Sequence, residues 1–150
     1  MDGAPVDLPP APLFADIAQG PADGVAHWVQ TADGLRIRAA LWRPEHTARG
    51  TVLLFPGRTE YIEKYGLTAA ALAQRGYATL TVDWRGQGLS ARLLADRRLG
   101  HVVHFADYQL DVDALARVAD QLDAPGPRFL IGHSMGGAIG LRALMQGLQV

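Results

Sequence analysis

The run Arg128-Phe129-Leu130-Ile131-Gly132-His133-Ser134-Met135-Gly136-Gly137 restricts the fold of this chain more than any other stretch. A short apolar segment with the look of a strand passes, without a spacer, into the start of an apolar helix, and glycines stand two before and two after Ser134. A strand can turn so abruptly into a helix only through a strained backbone at the central residue, and side chains at the two glycine positions would collide there. The pattern predicts a strand, a very tight turn and a helix, with the serine hydroxyl projecting above the end of the strand. A chance glycine-rich turn would explain the five letters alone, but not the strand and helix flanking them.

The rest of the chain repeats the theme. His27–Thr31 and Leu35–Trp42 flank Ala32-Asp33-Gly34, and Asp-Gly between such runs predicts an antiparallel hairpin. Thr51–Phe55 is a continuous apolar run, the mark of a strand covered on both faces. Tyr61, Tyr65, Leu67, Ala71 and Leu72 keep helical spacing, with Gly76 placed as a left-handed cap, and Tyr77–Val82 is the next strand, ending at Asp83. Tyr108, Val112, Leu115, Ala119 and Leu122 form one face of a long helix that Pro125-Gly126-Pro127 ends. Arg128–Ile131 then reads as a further buried strand, and Met135 to about Gln146 as its helix. A hairpin followed by strand–helix units gives an α/β fold: parallel strands after an antiparallel pair, with helices on both faces.

Composition excludes several classes of function. With 14 basic and 15 acidic residues spread along 150, the formal charge is -1 and no basic face for nucleic acid is expected. There is no cysteine, hence no disulfide or thiolate site, and the five histidines show no ligand spacing, so no metal is expected. An acidic residue at position 2 and no apolar run after it argue against a secretion signal and favour a cytoplasmic protein. The stretch from Phe129 to Val150 is long enough to span a bilayer but carries Arg142 in its middle, and is read as strand plus helix. Residues 1–25, with Pro5, Pro9, Pro10, Pro12 and Pro21, read as an arm that is extended on the surface or partly disordered, and 26–150 as the folded portion.

A serine hydroxyl held this way becomes a nucleophile once a histidine takes its proton and backbone donors await the oxyanion. Met135 N–H, at the head of the last helix, is the expected first donor, and Arg58 N–H, in the loop after Thr51–Phe55, the second. Gly57 lets that loop approach, although Pro56-Gly57 could be a plain turn. Gly132 and Gly136 support the serine turn, and Asp83 is expected to tie down backbone N–H groups beside it. Gly86-x-Gly88-x-x-Ala91 matches a dinucleotide fingerprint, but the strand end, helix and acidic residue which that site requires are misplaced, so no cofactor is expected.

Three segments in order, Phe55-Pro56-Gly57-Arg58-Thr59-Glu60-Tyr61, Asp83-Trp84-Arg85-Gly86-Gln87-Gly88-Leu89-Ser90 and Gly132-His133-Ser134-Met135-Gly136-Gly137, give residues 27–150 a resemblance to the α/β-hydrolases, in their monoglyceride lipase and lysophospholipase branch, also called serine aminopeptidase S33-like or hydrolase-4. The resemblance implies a carboxylic-ester hydrolase with Ser134 as nucleophile, a small-molecule lipid ester as substrate, and possible transient contact with a membrane surface. Where the family usually has His-Gly, this chain has Pro56-Gly57, which keeps the backbone donor but not a histidine behind the loop. The family order also places an acid and then a histidine after the nucleophile, and neither Asp, Glu nor His follows Ser134 here. His101, His104 and His133 are poorly placed to substitute, so the expectation is a chain truncated after the helix that begins at Met135, lacking the remaining strands and lid and inactive alone, with an unpaired edge at Phe129–Ile131. Arg97 and Arg98 could meet a lipid phosphate, though a solvated pair is the plainer reading. Another acyl-transfer enzyme, peptidase or acyltransferase, or a non-catalytic fragment are the alternatives.

Overall fold

Strands β1 (Val25–Gln30) and β2 (Arg36–Trp42) form the hairpin expected around Asp33-Gly34, with Gln30 opposite Arg36 and Val25 opposite Leu41. In this computed structural model, which describes residues 8–150, they join β3 (Gly50–Phe55), β4 (Tyr77–Asp83) and β5 (Arg128–Gly132) in a single sheet of order β1-β2-β4-β3-β5. β2 runs antiparallel to β4, whereas β3 is parallel to both β4 and β5. This is the predicted α/β architecture.

Alternation along β2 assigns the two faces. Ile37, Ala39 and Leu41 point into a core shared with α3 (Tyr108–Gln121) and α4 (Met135–Met145), while Ala40 and Trp42 point to the other face, beneath α1 (Ala15–Ala18) and α2 (Gly66–Gln74). Helix α3 buries Tyr108, Val112, Leu115 and Ala119, the stripe its spacing predicts. Trp84 anchors the larger core edge-on between Phe55, at 5.1 Å, and Tyr108, at 5.8 Å, pairs worth about 0.5–1.5 kcal/mol each beyond area burial.

Helix α2 differs from its expected form. The chain first makes a 3₁₀ turn, Ile62–Tyr65, and only then an α-helix, so the phase of the apolar stripe shifts. Ile62, Tyr65 and Ala69 are buried, whereas Tyr61 and Leu67 are 44% and 65% exposed and Ala71 also faces outward. Gly76 does stand in the left-handed region just past the helix, at φ 85°. β5 is not the fully buried strand that its apolar run predicts, and the unpaired edge expected at Phe129–Ile131 is present. Among the described residues it pairs with β3 alone, leaving Phe129 and Ile131 each 43% exposed along an open sheet edge.

Of the proline-rich segment, residues 1–7, with Pro5, lie outside the described residues. From Leu8 the chain pairs with β1 through Trp28 N–H to Pro9 O and Ala11 N–H to Ala26 O, both 2.9 Å, and α1 then buries Ala18.

The Tyr108 hydroxyl is buried with no hydrogen-bond partner among the described residues. Tyr108→Phe retains the ring contacts and removes an unsatisfied polar atom, so unfolding in urea is expected to show unchanged or higher stability, by up to about 1 kcal/mol. A loss of that size would mean that the hydroxyl is satisfied.

Candidate active site

The sheet order puts a topological switch point at the C-terminal ends of β3 and β5. The two strands are neighbours, with Phe55 opposite Gly132, yet the chain leaves β3 toward α2 on one face and β5 toward α4 on the other. Such a divergence of loops is where open α/β sheets bind ligands.

After β5 the backbone turns through Ser134, which sits at φ 52°, ψ -120° as the residue before α4. A non-glycine residue there stores about 1–3 kcal/mol of strain, held by its surroundings. His133 N–H donates to Phe55 O at 3.0 Å, locking the turn to β3. Both flanking glycines are required: a Cβ at Gly136 would lie 2.0 Å from Phe55 O, and one at Gly132 would lie 2.7 Å from the Gly137 Cα. Ser134 is exposed, and its hydroxyl has no hydrogen-bond partner among the described residues.

The facing loop, Pro56 to Glu60, is tied down from several sides. Trp84 Nε1 donates to Pro56 O at 2.9 Å, and Gln87 Nε2 donates to Gly57 O at 3.0 Å and to Glu60 O at 3.2 Å. Gly57 N–H donates to Glu60 Oε2 at 2.5 Å. Arg58 lies three residues past Phe55 and Met135 three past Gly132, so the two occupy equivalent places beyond one registered pair. Neither N–H has a hydrogen-bond partner among the described residues, as expected for the first N–H of a helix in the case of Met135.

Glu60 is the residue that sequence reasoning missed. Its carboxylate also accepts from the Tyr65 hydroxyl and Lys64 Nζ, and lies 3.0 Å from His133 Nδ1. Burial alone would raise its pKa, but the hydrogen bonds from Lys64, Tyr65, Gly57 N–H and His133 outweigh it and hold the carboxyl at about 2. The group therefore stays charged across the neutral range, and its contribution is lost only as pH falls toward that value. Burial and the neighbouring Glu60 charge push the Tyr65 phenol up, so it remains a donor. The spacing Glu60-x-x-x-Lys64 was the available signal, readable only as a surface pair.

Asp83 accepts from Ile62 N–H and Leu89 N–H, both at 2.8 Å, and from Arg38 Nε at 2.9 Å. Gly88 leaves it room, since a Cβ there would fall 2.1 Å from the carboxylate. The glycine loop therefore wraps a buried carboxylate, and Ala91 N–H returns to Arg36 O without opening a helix. Asp111, in α3, pairs with buried Arg85 at 2.8 Å. Exposed Arg98 pairs with Asp96 at 2.7 Å. His101 and His104 are exposed in the loop before α3, and no histidine is hydrogen-bonded to Ser134. Among the described residues no helix is long and apolar enough to cross a membrane.

Residues 46–149 match the family described as serine aminopeptidase, S33, or hydrolase-4. The chain is 46% identical over 110 residues to lysophospholipase L2 of Escherichia coli K12, covering 71% of this chain and 31% of that protein. It is 31% identical over 106 residues to monoacylglycerol lipase of Mycolicibacterium smegmatis, covering 71% and 36%. A soluble variant of monoglyceride lipase from Saccharomyces cerevisiae, solved with a substrate analog, superposes with a TM-score of 0.58 at 29% identity, over 79% of this chain and 39% of that one. The chain thus spans about a third of the length of the curated relatives it matches. With the family matched over most of its length and the α/β-hydrolase sheet in place, the chain belongs to the serine aminopeptidase S33, or hydrolase-4, family.

Proposed function

We propose that this chain carries the nucleophile and oxyanion donors of a carboxylic-ester hydrolase acting on lipid monoesters. Ser134 Oγ attacks the acyl carbonyl, the N–H groups of Arg58 and Met135 hold the developing oxyanion, the alcohol departs with a proton, and water then releases the acid from the acyl-enzyme. The observation that carries this reading is the strained, exposed Ser134 at the head of α4, beside an unpaired Met135 N–H. Relatives named for lysophospholipid and monoacylglycerol cleavage support the substrate class.

The proton on Ser134 needs a base. Neither Asp, Glu nor His occurs among residues 135–150, His133 is turned to Glu60 and no histidine is hydrogen-bonded to Ser134, so turnover requires a further acid and histidine and the 150-residue chain alone is expected to be inactive. Residues 26–150 are then the nucleophile-bearing part of the hydrolase domain.

In an active form, one completed by that acid and histidine, monoacylglycerols and lysophospholipids are expected to exceed aminoacyl amides in kcat/KM. The family description favours the peptidase alternative, so the panel includes both classes. Preferential turnover of an aminoacyl amide would reject the lipid assignment.

A further inference from the structure

Glu60 joins the loop after β3 to the turn after β5. Its side chain is only 10% exposed, and its two oxygens meet donors from the β3 loop (Gly57), the turn before α2 (Lys64, Tyr65) and the turn before α4 (His133). There is no slack in the cluster: a Cβ on Gly57 would stand 3.0 Å from Glu60 Oε2 and 3.1 Å from His133 Nδ1. Within residues 56–60, the carbonyls of Pro56, Gly57 and Glu60 and the Gly57 N–H all have partners, whereas the Arg58 N–H, opposite the Gly57 carbonyl in one trans peptide unit, has none among the described residues. On the other side, His133 immediately precedes Ser134. The same carboxylate therefore holds the N–H of Gly57, the residue before Arg58, and the side chain of His133, the residue before the nucleophile.

We infer that Glu60 is a positioning residue, clamping the β3 loop to the Ser134 turn and so fixing the separation of the Arg58 and Met135 donors. This rests on the ester-hydrolase reading for its consequence in catalysis. An acceptor-only group is required, because Gly57 N–H, Tyr65 O–H and Lys64 Nζ all donate to it. An amide in its place would turn a donor against at least one of them.

The test compares Glu60→Ala and Glu60→Gln with the parent in an active form, with rates expressed per titrated active site so that any loss of folded protein drops out. If the clamp sets the oxyanion donors, Glu60→Ala lowers kcat by about 10²-fold, the scale of losing one such donor, with little change in KM. Affinity for a boronic acid that mimics the tetrahedral intermediate falls by a similar factor, and Glu60→Gln lies between. A kcat within twofold of the parent, with only the melting temperature lowered, would show a purely stabilising residue and overturn the inference. Amide hydrogen exchange on the 150-residue chain separates this from failure of the functional reading. Glu60→Ala should deprotect the Gly57 amide while β3 and β4 amides keep their protection, whether or not esters are the substrate. Unchanged protection at Gly57 would remove the clamp itself.

Discussion

Ser134→Ala is expected to lower ester turnover in an active form by at least about 10⁴-fold without measurable loss of fold, because the residual rate left by binding and oxyanion donors is small beside that of a complete serine site. The hydroxyl has no hydrogen-bond partner among the described residues, so its removal leaves no polar group stranded. Alanine also bears the same Cβ as serine, and the strain at φ 52° is shared by both. Urea midpoints should therefore agree while kcat collapses and substrate affinity persists. Half-retained activity would mean that another group attacks the carbonyl.

The second large effect concerns stability. Arg38, 1% exposed, donates from Nε to Asp83 at 2.9 Å, from Nη1 and Nη2 to the two Glu63 oxygens at 2.8 Å each, and from Nη1 to Pro12 O at 2.8 Å. Arg38→Ala leaves two buried carboxylates facing one another, and breaking a buried network by removing one partner costs about 3–5 kcal/mol. The damage spreads to the site, because Asp83 holds the Ile62 and Leu89 amides. Urea denaturation should show the loss. Arg38→Met combined with Glu63→Leu should be less destabilised than Arg38→Met alone, since it removes one stranded charge with the cation. A loss in the double variant equal to the sum of the losses of Arg38→Met and Glu63→Leu measured singly would argue that Arg38 and Glu63 act independently.

Much of this fold was legible because its signals are local. The apolar run Thr51–Phe55, the Asp33-Gly34 turn, the four-three-four-three spacing from Tyr108 and the glycines around Ser134 each fix their element within a few residues. What escaped depends on contacts distant in sequence. Arg38 alternates with Ile37 and Ala39 and so reads as a solvent-facing strand position, until Glu63 and Asp83 arrive from 25 and 45 residues away to bury it. Glu60 looks like half of a surface pair with Lys64, and only the meeting of β3 and β5 brings His133 to it. The outward turn of Tyr61 and Leu67 follows from the 3₁₀ start of α2, a phase shift that apolar spacing does not encode.

Covalent labelling tests most directly whether Ser134 is the nucleophile. A fluorophosphonate probe is added to an active form, to its Ser134→Ala variant and to the 150-residue chain, and the adduct is located by peptide mass spectrometry beside an ester assay. One adduct per molecule on Ser134 is expected in the active form, none in the variant, and neither rapid labelling nor turnover in the 150-residue chain, where no histidine is hydrogen-bonded to Ser134. An adduct elsewhere with turnover intact in Ser134→Ala would contradict the assignment of Ser134, and stoichiometric labelling with steady turnover in the 150-residue chain would show that its sequence already holds the base.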